Sequence, residues 1–286
     1  MSMKLAVPNK GRLHEPTLDL IEDSGIGVQD KGSRRLFAKT NVPDLEVIFV
    51  RTQDIPNIVE TGSADLGVTG HDLVLESQCE VEELLDLDFG RAEMVVAAYE
   101  NSEIDSLDDV EDGMKVATEF PNVTQNYFDE RGLDVKVTKV SGATEITPFI
   151  GIADLIVDIT STGTTLRTHS LEVIDSLFET SVRLIANKDS LRDKGGKVEE
   201  IRMAMEGVIK AKNRKLIMMN VPEDKISEIE KIVPGMSGPT VSRVEGTDYL
   251  AVQAVVQSEE IYKLVGEVRE RGARDILVVP IQRVLP

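Results

Sequence analysis

The chain has 286 residues, 41% of them hydrophobic, with a formal net charge of −19 and a pI near 4.6. Two or three domains with ordinary cores fit that length, and so acidic a chain repels nucleic-acid backbones and anionic membranes, so no nucleic acid and no membrane is expected as a partner. The lone Cys79 rules out an internal disulfide, His14, His71 and His169 are scattered without metal-ligand spacing, the opening MSMKLAVPNKGR has too short an apolar core for an export signal, and no apolar run approaches the ~18 residues of a membrane span, so a reduced, cytoplasmic protein is expected.

Residues 5–7 and 47–50 read as short strands and residues 16–24 and 56–62 as helices, with Pro56 suited to a first helical turn and Gly62 to a helix end. The acidic runs 80–88 and 103–112 read as solvated surface. After LDFG at residues 87–90, an apolar run at 94–99 opens a second set: strand 115–117, helix 123–131, strand 135–140, helix 143–151 and strand 155–159. Such alternation predicts parallel sheets covered by helices. A strand over 182–186 and a long amphipathic helix over 198–212 follow. From residue 214 the order is strand 216–219, helix 223–233, strands 240–244 and 249–256, helix 259–271 and strand 276–280, the βαββαβ order of a ferredoxin-like unit.

Chemistry concentrates in DLIVDITSTGTTL, residues 154–166. Val157 and Ile159 flank Asp158 in strand-like alternation, and residues 170–175 are expected to open a helix. The loop between them would then leave the C-terminal end of a strand, where ligands of α/β sheets bind. Gly163 lets the backbone approach an anion closely, and the amides and hydroxyls of Thr160, Ser161, Thr162, Thr164 and Thr165 supply donors that need no positive charge. Asp154 and Asp158 are candidates to hold ribose hydroxyls or a magnesium ion. A threonine-rich turn after a buried strand is the alternative reading of this segment alone. Neither a Walker loop nor GxGxxG is present, so kinase and Rossmann dehydrogenase readings gain no support.

An acid-bearing strand running into TGTT resembles the loop that binds 5-phosphoribosyl-1-pyrophosphate (PRPP) in phosphoribosyltransferases. VPNKGRL at 7–13, RTQDIP at 51–56, ADLGVTG at 64–70, LDFG at 87–90 and SGATEITPFIGIAD at 141–154 stand in the order seen in the ATP phosphoribosyltransferase family, over essentially the whole chain. The resemblance implies an α/β protein of the long form, with two periplasmic-binding-protein-like lobes forming a catalytic cleft and a C-terminal ferredoxin-like (ACT-like) regulatory domain. Lobe one is expected at residues 1–90 and 181–211, lobe two at 91–180 and the regulatory domain at 212–286. The implied activity is a magnesium-dependent pentosyl transfer that opens histidine biosynthesis: adenine N1 of ATP attacks PRPP and pyrophosphate leaves. Inhibition by histidine and a homo-oligomer of dimers that build hexamers are implied as well.

Residue by residue, the resemblance implies that Asp158, Lys10, Arg12 and Arg51 are catalytic. It assigns PRPP to Glu145, Asp154, Asp158, Thr160, Ser161, Thr162, Gly163, Thr164 and Thr165, and ATP to Lys10, Gly11, Arg12, Asp65, Leu66 and Gly67. Within or near PGMSGPT at 234–240 and GARDILVVPI at 272–281, it assigns histidine to Asn220, Met236, Thr240 and Ala273. No protein ligand is assigned to magnesium, which travels on the substrate pyrophosphate. Ordinary alternatives exist: Lys10 and Arg12 as surface cations, Asp65 as a turn acid, Glu145 as an acid of a first helical turn, and His14 as a surface or capping residue. VPNKGRL stands where LPKGRL is usual in the family, which bears on how Lys10 sits, and Thr164 occupies a variable position. Two rivals from other classes are a solute-binding protein of the same fold, which would normally carry an export signal, and a catalytically silent regulatory subunit, against which the intact 158–165 loop argues.

Overall fold

The computed structural model describes residues 2–29, 36–233, 235–236 and 238–285, so Pro234 and Ser237 of the PGMSGPT segment lie outside the described residues. The chain forms two compact units, one running to Glu22 and from Ile26 to Arg202, the other made of Asp23–Gly25 with the chain from Met203 onward.

The first unit opens with β1 (Met3–Pro8), whose Met3, Leu5, Ala6 and Val7 are fully buried, the pattern of a strand covered on both faces. α1 (His14–Asp23) buries Leu18, Leu20 and Ile21. β2 (Phe37–Lys39), β3 (Leu45–Val50), α2 (Ile55–Glu60), β4 (Leu66–Gly70), α3 (His71–Ser77) and β5 (Val81–Asp86) complete a first pass. Pro56 stands in the first turn of α2, where its missing N–H is no loss. The chain then crosses to β6 (Ala92–Tyr99), β7 (Lys115–Thr118), α4 (Pro121–Asp129), β8 (Lys136–Lys139), β9 (Leu155–Thr160), α5 (Thr164–Thr168) and β10 (Leu171–Thr180). It returns as β11 (Val182–Asn187) and leaves through α6 (Lys188–Lys212), which kinks at Lys194 with φ −129°.

Two sheets result, in the orders β2-β3-β1-β4-β11-β5 and β10-β6-β9-β7-β8. Neither is wholly parallel, contrary to the expectation from strand-helix alternation. β1 pairs parallel with β3 and β4, and β7 with β8 and β9, but β11 runs antiparallel to β4 and β5, and β6 antiparallel to β9 and β10. β2 also lies antiparallel to β3 at one edge of the first sheet, and for β6 and β11 the crossings are the cause. β6 and β11 each enter their sheet from the other lobe, at the edge where the parallel strands end, and so must run against them. Within the second sheet, alternate residues of β6 serve opposite faces: Met94, Val96 and Ala98 join Phe120, Val123 and Phe128, whereas Val95 and Ala97 join Leu166 and Leu171.

Two helices expected from the sequence do not form. Residues 143–151 hold a 3-10 turn, Thr144–Ile146, because Gly142 and Ala143 precede it at φ 84° and 52° and Pro148 and Gly151 follow. Residues 171–175 lie in an antiparallel strand: α5 begins directly after Gly163, Ser170 at φ 54° turns the chain after it, and LEVIDSLFET pairs with β6. The acidic run 80–88 contains β5 and still faces solvent, with Glu80, Glu82 and Glu83 exposed and Glu83 and Asp86 paired to Arg183 of β11.

The second unit contains β12 (Arg214–Pro222), α7 (Ile226–Ile232), β13 (Thr240–Arg243), β14 (Tyr249–Gln257), α8 (Ile261–Glu270) and β15 (Arg274–Pro280). They build an antiparallel sheet in the order β13-β14-β12-β15, the ferredoxin-like unit expected from the sequence. Ile217, Met219 and Val221 of β12 and Val252, Ala254 and Val256 of β14 share a core with Ile229 of α7 and Leu264 and Val268 of α8. Leu216 and Met218 pair with Val279 and Leu277 of β15 on the other face, where Leu277 is 58% exposed.

Candidate active site

In the first unit, the parallel strands of both sheets deliver their C-terminal ends to one cleft of roughly 750 Å³. From the first sheet come Lys10, Gly11 and Arg12 after β1, Arg51 after β3, and Gly70 and Asp72 at the end of β4. From the second come Glu119 and Phe120 after β7 and Asp158 and Ile159 of β9. Both crossings take part, through Gly90 on the way out and Ser181 and Val182 on the way back. This is where open α/β sheets bind ligands. Gly11, at φ 85°, supplies the left-handed turn between Lys10 and Arg12.

Charge is divided across the cleft. Burial pushes the Asp158 carboxyl up to about 6, the nearby Glu119 and Glu145 carboxylates add to the rise, and the Ile159 amide and Arg12 oppose it. The Ile159 amide donates to Asp158 Oδ1 at 2.7 Å. Burial also raises the Asp72 carboxyl, against a hydrogen bond from Thr180 and the charges of Arg12 and His71. Glu145, in the 3-10 turn, stands 3.9 Å from His169.

The loop from Thr160 through Ser161 and Thr162 to Gly163 borders an adjoining cavity of roughly 660 Å³, together with Arg91 and Arg183. Ser181 lines both cavities. Gly163 adopts φ 67° and its amide donates to Thr160 Oγ1 at 2.9 Å, while Arg167 donates to the Thr162 carbonyl at 2.9 Å. Thr164 and Thr165 begin α5 instead of extending the loop, and the Thr162 and Thr164 hydroxyls share a hydrogen bond of 2.9 Å.

Four expected residues lie elsewhere. Asp154 precedes β9, whose six residues put ~20 Å between it and the loop. Its Oδ2 accepts the Lys115 amide at 2.8 Å. Asp65, Leu66 and Gly67 stand at the start of β4, the end away from Gly70. Asp65 accepts hydrogen bonds from the Lys4 amide, Ser190 and Lys194 at 2.8, 2.6 and 2.7 Å. Its burial alone would raise the carboxyl, but those bonds hold it below the ordinary range. Gly67 leaves room for core side chains, since a Cβ there would stand 2.5 Å from Ile55 and 2.8 Å from Val59. ADLGVTG therefore reaches the cleft through its last residue, Gly70, and two residues on through Asp72. Asp72 and Glu119 were missed by sequence reasoning, although each is an acid just past the end of an apolar strand. His14 lies outside the cleft lining, its Nδ1 donating to the Pro8 carbonyl at 2.6 Å.

The profile of the ATP phosphoribosyltransferase family (HisG) matches residues 51–207, and that of the HisG C-terminal domain matches residues 211–283. The chain is 53% identical over 285 residues to the ATP phosphoribosyltransferase of Methanocaldococcus jannaschii, a match covering 98% of this chain and 99% of the relative. It is 48% identical over 287 residues to that of Methanothermobacter thermautotrophicus, covering 100% of both. The chain belongs to the ATP phosphoribosyltransferase family. A solved structure, the ATP phosphoribosyl transferase (HisG:HisZ) complex from Thermotoga maritima, is similar at 31% identity with a TM-score of 0.63, covering 71% of this chain and 98% of that one. Membership in the ATP phosphoribosyltransferase family makes the chain a transferase of histidine biosynthesis.

In the C-terminal unit of this family member, the four residues expected around histidine do not meet. Ala273 borders a cavity of roughly 780 Å³ with Arg269 and Asp275, and Asn220 Nδ2 donates to Asp275 at 2.9 Å. Met236 borders a separate cavity of roughly 300 Å³ with Arg214 and Gln257. Thr240 lies on β13 opposite Gln253. Because β13 and β15 are opposite edges of the sheet, one chain brings Asn220 and Ala273 together and leaves Met236 and Thr240 apart.

Proposed function

We propose that the cleft transfers the phosphoribosyl group of PRPP to adenine N1 of ATP, giving phosphoribosyl-ATP and pyrophosphate, in the first step of histidine biosynthesis. The observation that carries this reading is that Lys10, Arg12 and Arg51 line the same cleft as Asp158, next to a hydroxyl-rich loop. Departure of pyrophosphate builds positive charge on the ribose ring and negative charge on the leaving group. Asp158, with Glu119 and Glu145 nearby, stabilises the first, and the three cations stabilise the second. Adenine N1 already has a lone pair, so holding it in line with the anomeric carbon matters more than a strong base. Magnesium enters as part of the substrate, on the pyrophosphate of PRPP, and the unbalanced carboxylates around Asp158 suit a ligand that brings positive charge.

In this reading the ribose sits on Asp158, the 5-phosphate on the loop from Thr160 to Gly163 and the first turn of α5, and ATP on Lys10, Gly11 and Arg12 beside Gly70 and Asp72. Asp154, Asp65, Leu66 and Gly67 support the fold. Residues 1–90 with 181–211 and residues 91–180 are the catalytic lobes, and residues 212–286 the regulatory domain. Histidine inhibits from that domain. Since Asn220 and Ala273 lie toward one sheet edge and Thr240 toward the other, a pocket holding all of them takes residues from two copies, which supports a homo-oligomer of dimers and hexamers. Among the described residues no helix is long and apolar enough to cross a membrane, and a cytoplasmic location accords with the biosynthetic role.

Incubation with magnesium, PRPP and ATP should yield phosphoribosyl-ATP, whereas free purine or pyrimidine bases in place of ATP should yield nothing. Failure to form the N1-linked product would overturn the reading. Cutting the chain after Lys212 should abolish inhibition by histidine while some PRPP-dependent turnover remains; inhibition that survives the cut would place the effector site in the catalytic lobes.

A further inference from the structure

Asp72, which lines the cleft, and Thr180, which lines the adjoining cavity, form a reciprocal pair. Asp72 is 8% exposed and Thr180 3%. The Thr180 hydroxyl accepts the backbone N–H of Asp72 at 3.1 Å and donates to its Oδ1 at 2.8 Å. A hydroxyl has one proton, and with the amide approaching from one side that proton is committed to the carboxylate. One Asp72 oxygen is thereby pinned, while the residue still lines the cleft beside Gly70. Gly70 makes the space this oxygen occupies, since a Cβ there would stand 2.3 Å from Asp72 Oδ1, so the Thr180 hydroxyl is what holds the carboxylate on that side.

The pair also joins the two lobes. Asp72 lies in α3, directly after β4 of the first sheet, whereas Thr180 is the last residue of β10 in the second, one position before Ser181 of the return crossing. At its other end α3 is tied to the second lobe again: Glu76 Oε2 accepts the amides of Asn122 and Val123 of α4 at 2.9 and 3.1 Å. The orientation of the Asp72 carboxylate therefore depends on a residue contributed by the opposite lobe.

We propose that Thr180 is a positioning residue for the nucleotide substrate, holding the Asp72 carboxylate by one oxygen so that the other meets a hydrogen-bond donor of ATP. This rests on the reading of the cleft as an ATP site. Removing the hydroxyl frees a buried carboxylate to turn, which weakens ATP; Thr180 also borders the cavity of the 160–163 loop, but its hydroxyl is committed to Asp72, so PRPP is affected less.

The test is a double-mutant cycle with separate KM values for ATP and PRPP. Thr180→Val keeps the shape and removes the hydroxyl; it should raise KM for ATP by about fivefold or more and move KM for PRPP by less than about twofold. Thr180→Ser should restore the parent value. In an Asp72→Asn background Thr180→Val should add nothing, because the two act through one contact. Gly70→Ala, which presses on Asp72 Oδ1 from the other side, should raise KM for ATP in the same sense and serves if Thr180→Val folds poorly. Additive effects in the cycle, or an equal rise for both substrates, overturn the proposal. Product formation by the parent enzyme is recorded in the same series. A parent without ATP- and PRPP-dependent activity overturns the functional reading and the proposal with it, whereas an active parent with an unaffected Thr180→Val overturns the positioning role alone.

Discussion

The Asp158 carboxyl, raised from 3.8 to about 6 first by burial and then by Glu119 and Glu145, ties stability to one proton and, in the proposed mechanism, turnover as well. Because the folded state binds that proton more tightly than the unfolded chain, the stabilisation attached to this group is complete below pH 3.8 and is lost as pH rises through about 6. Asp158→Asn should therefore gain stability relative to the parent on going from about pH 4 to about pH 7, on the order of 1–2 kcal/mol. Urea unfolding at the two pH values measures this, and an unchanged difference would remove the argument from crowded acids. The same variant should lose about 100-fold or more in kcat/KM for PRPP, since in the proposed mechanism the missing charge faces the cationic transition state. In the parent enzyme kcat/KM for PRPP should fall below about pH 6 as Asp158 takes up its proton. Gly163, at φ 67°, sits where a β-branched residue is strained, and Gly163→Val should weaken PRPP binding by about tenfold or more with ATP affected less. Calorimetric titration with each substrate separates the two, and unchanged PRPP affinity would dissociate the loop from the phosphate.

At the scale of elements, α3 acts as a short strut between the two sheets of the first unit. Its last turn caps α4, through the Glu76 carboxylate on two amides and the Asn122 side chain on the Glu76 carbonyl at 2.9 Å. Glu76→Ala should destabilise the protein by about 1–2 kcal/mol, with Glu76→Gln milder because an amide oxygen still accepts. Thermal unfolding reads the difference, and equal melting temperatures for parent and Glu76→Ala would show that the clasp contributes nothing. No local signal marks this clasp in the sequence, because its partners are 46 and 47 residues apart. The two absent helices have different causes, one long-range and one local. Residues 171–180 carry Val173, Ile174 and Phe178, strand formers whose state is set by the partner β6, far upstream. Helix periodicity over 143–151 is cancelled by Gly142, Pro148 and Gly151, punctuation visible in the chain itself.

At the scale of the molecule, the C-terminal sheet is covered on one face by α7 and α8, while Leu216, Met218, Leu277 and Val279 share the other. A half-exposed apolar sheet face of this kind suits self-association, in keeping with the proposed oligomer. Leu277→Lys should lower the oligomeric mass in light scattering after size exclusion while the transition in circular dichroism stays cooperative. An unchanged mass would move the subunit contact to another surface.

Most of the element order, the ferredoxin-like unit and the hydroxyl-rich turn after Asp158 are legible in the chain because each depends on neighbours: apolar period, turn residues, and small hydroxyl residues around one glycine. Asp154 and Asp65 look as inviting as Asp158 by composition, yet β9 carries Asp154 to the wrong end and the bonds from Lys4, Ser190 and Lys194 enclose Asp65. Asp72 and Glu119 acquire meaning only when β4 and β7 end at the same cleft, and Thr180 only when the end of β10 comes onto Asp72. Local pattern carries residue chemistry and the type of most elements. Strand direction and pairing across the two crossings determine which of those chemical groups share a site, and both depend on contacts between residues far apart in the chain.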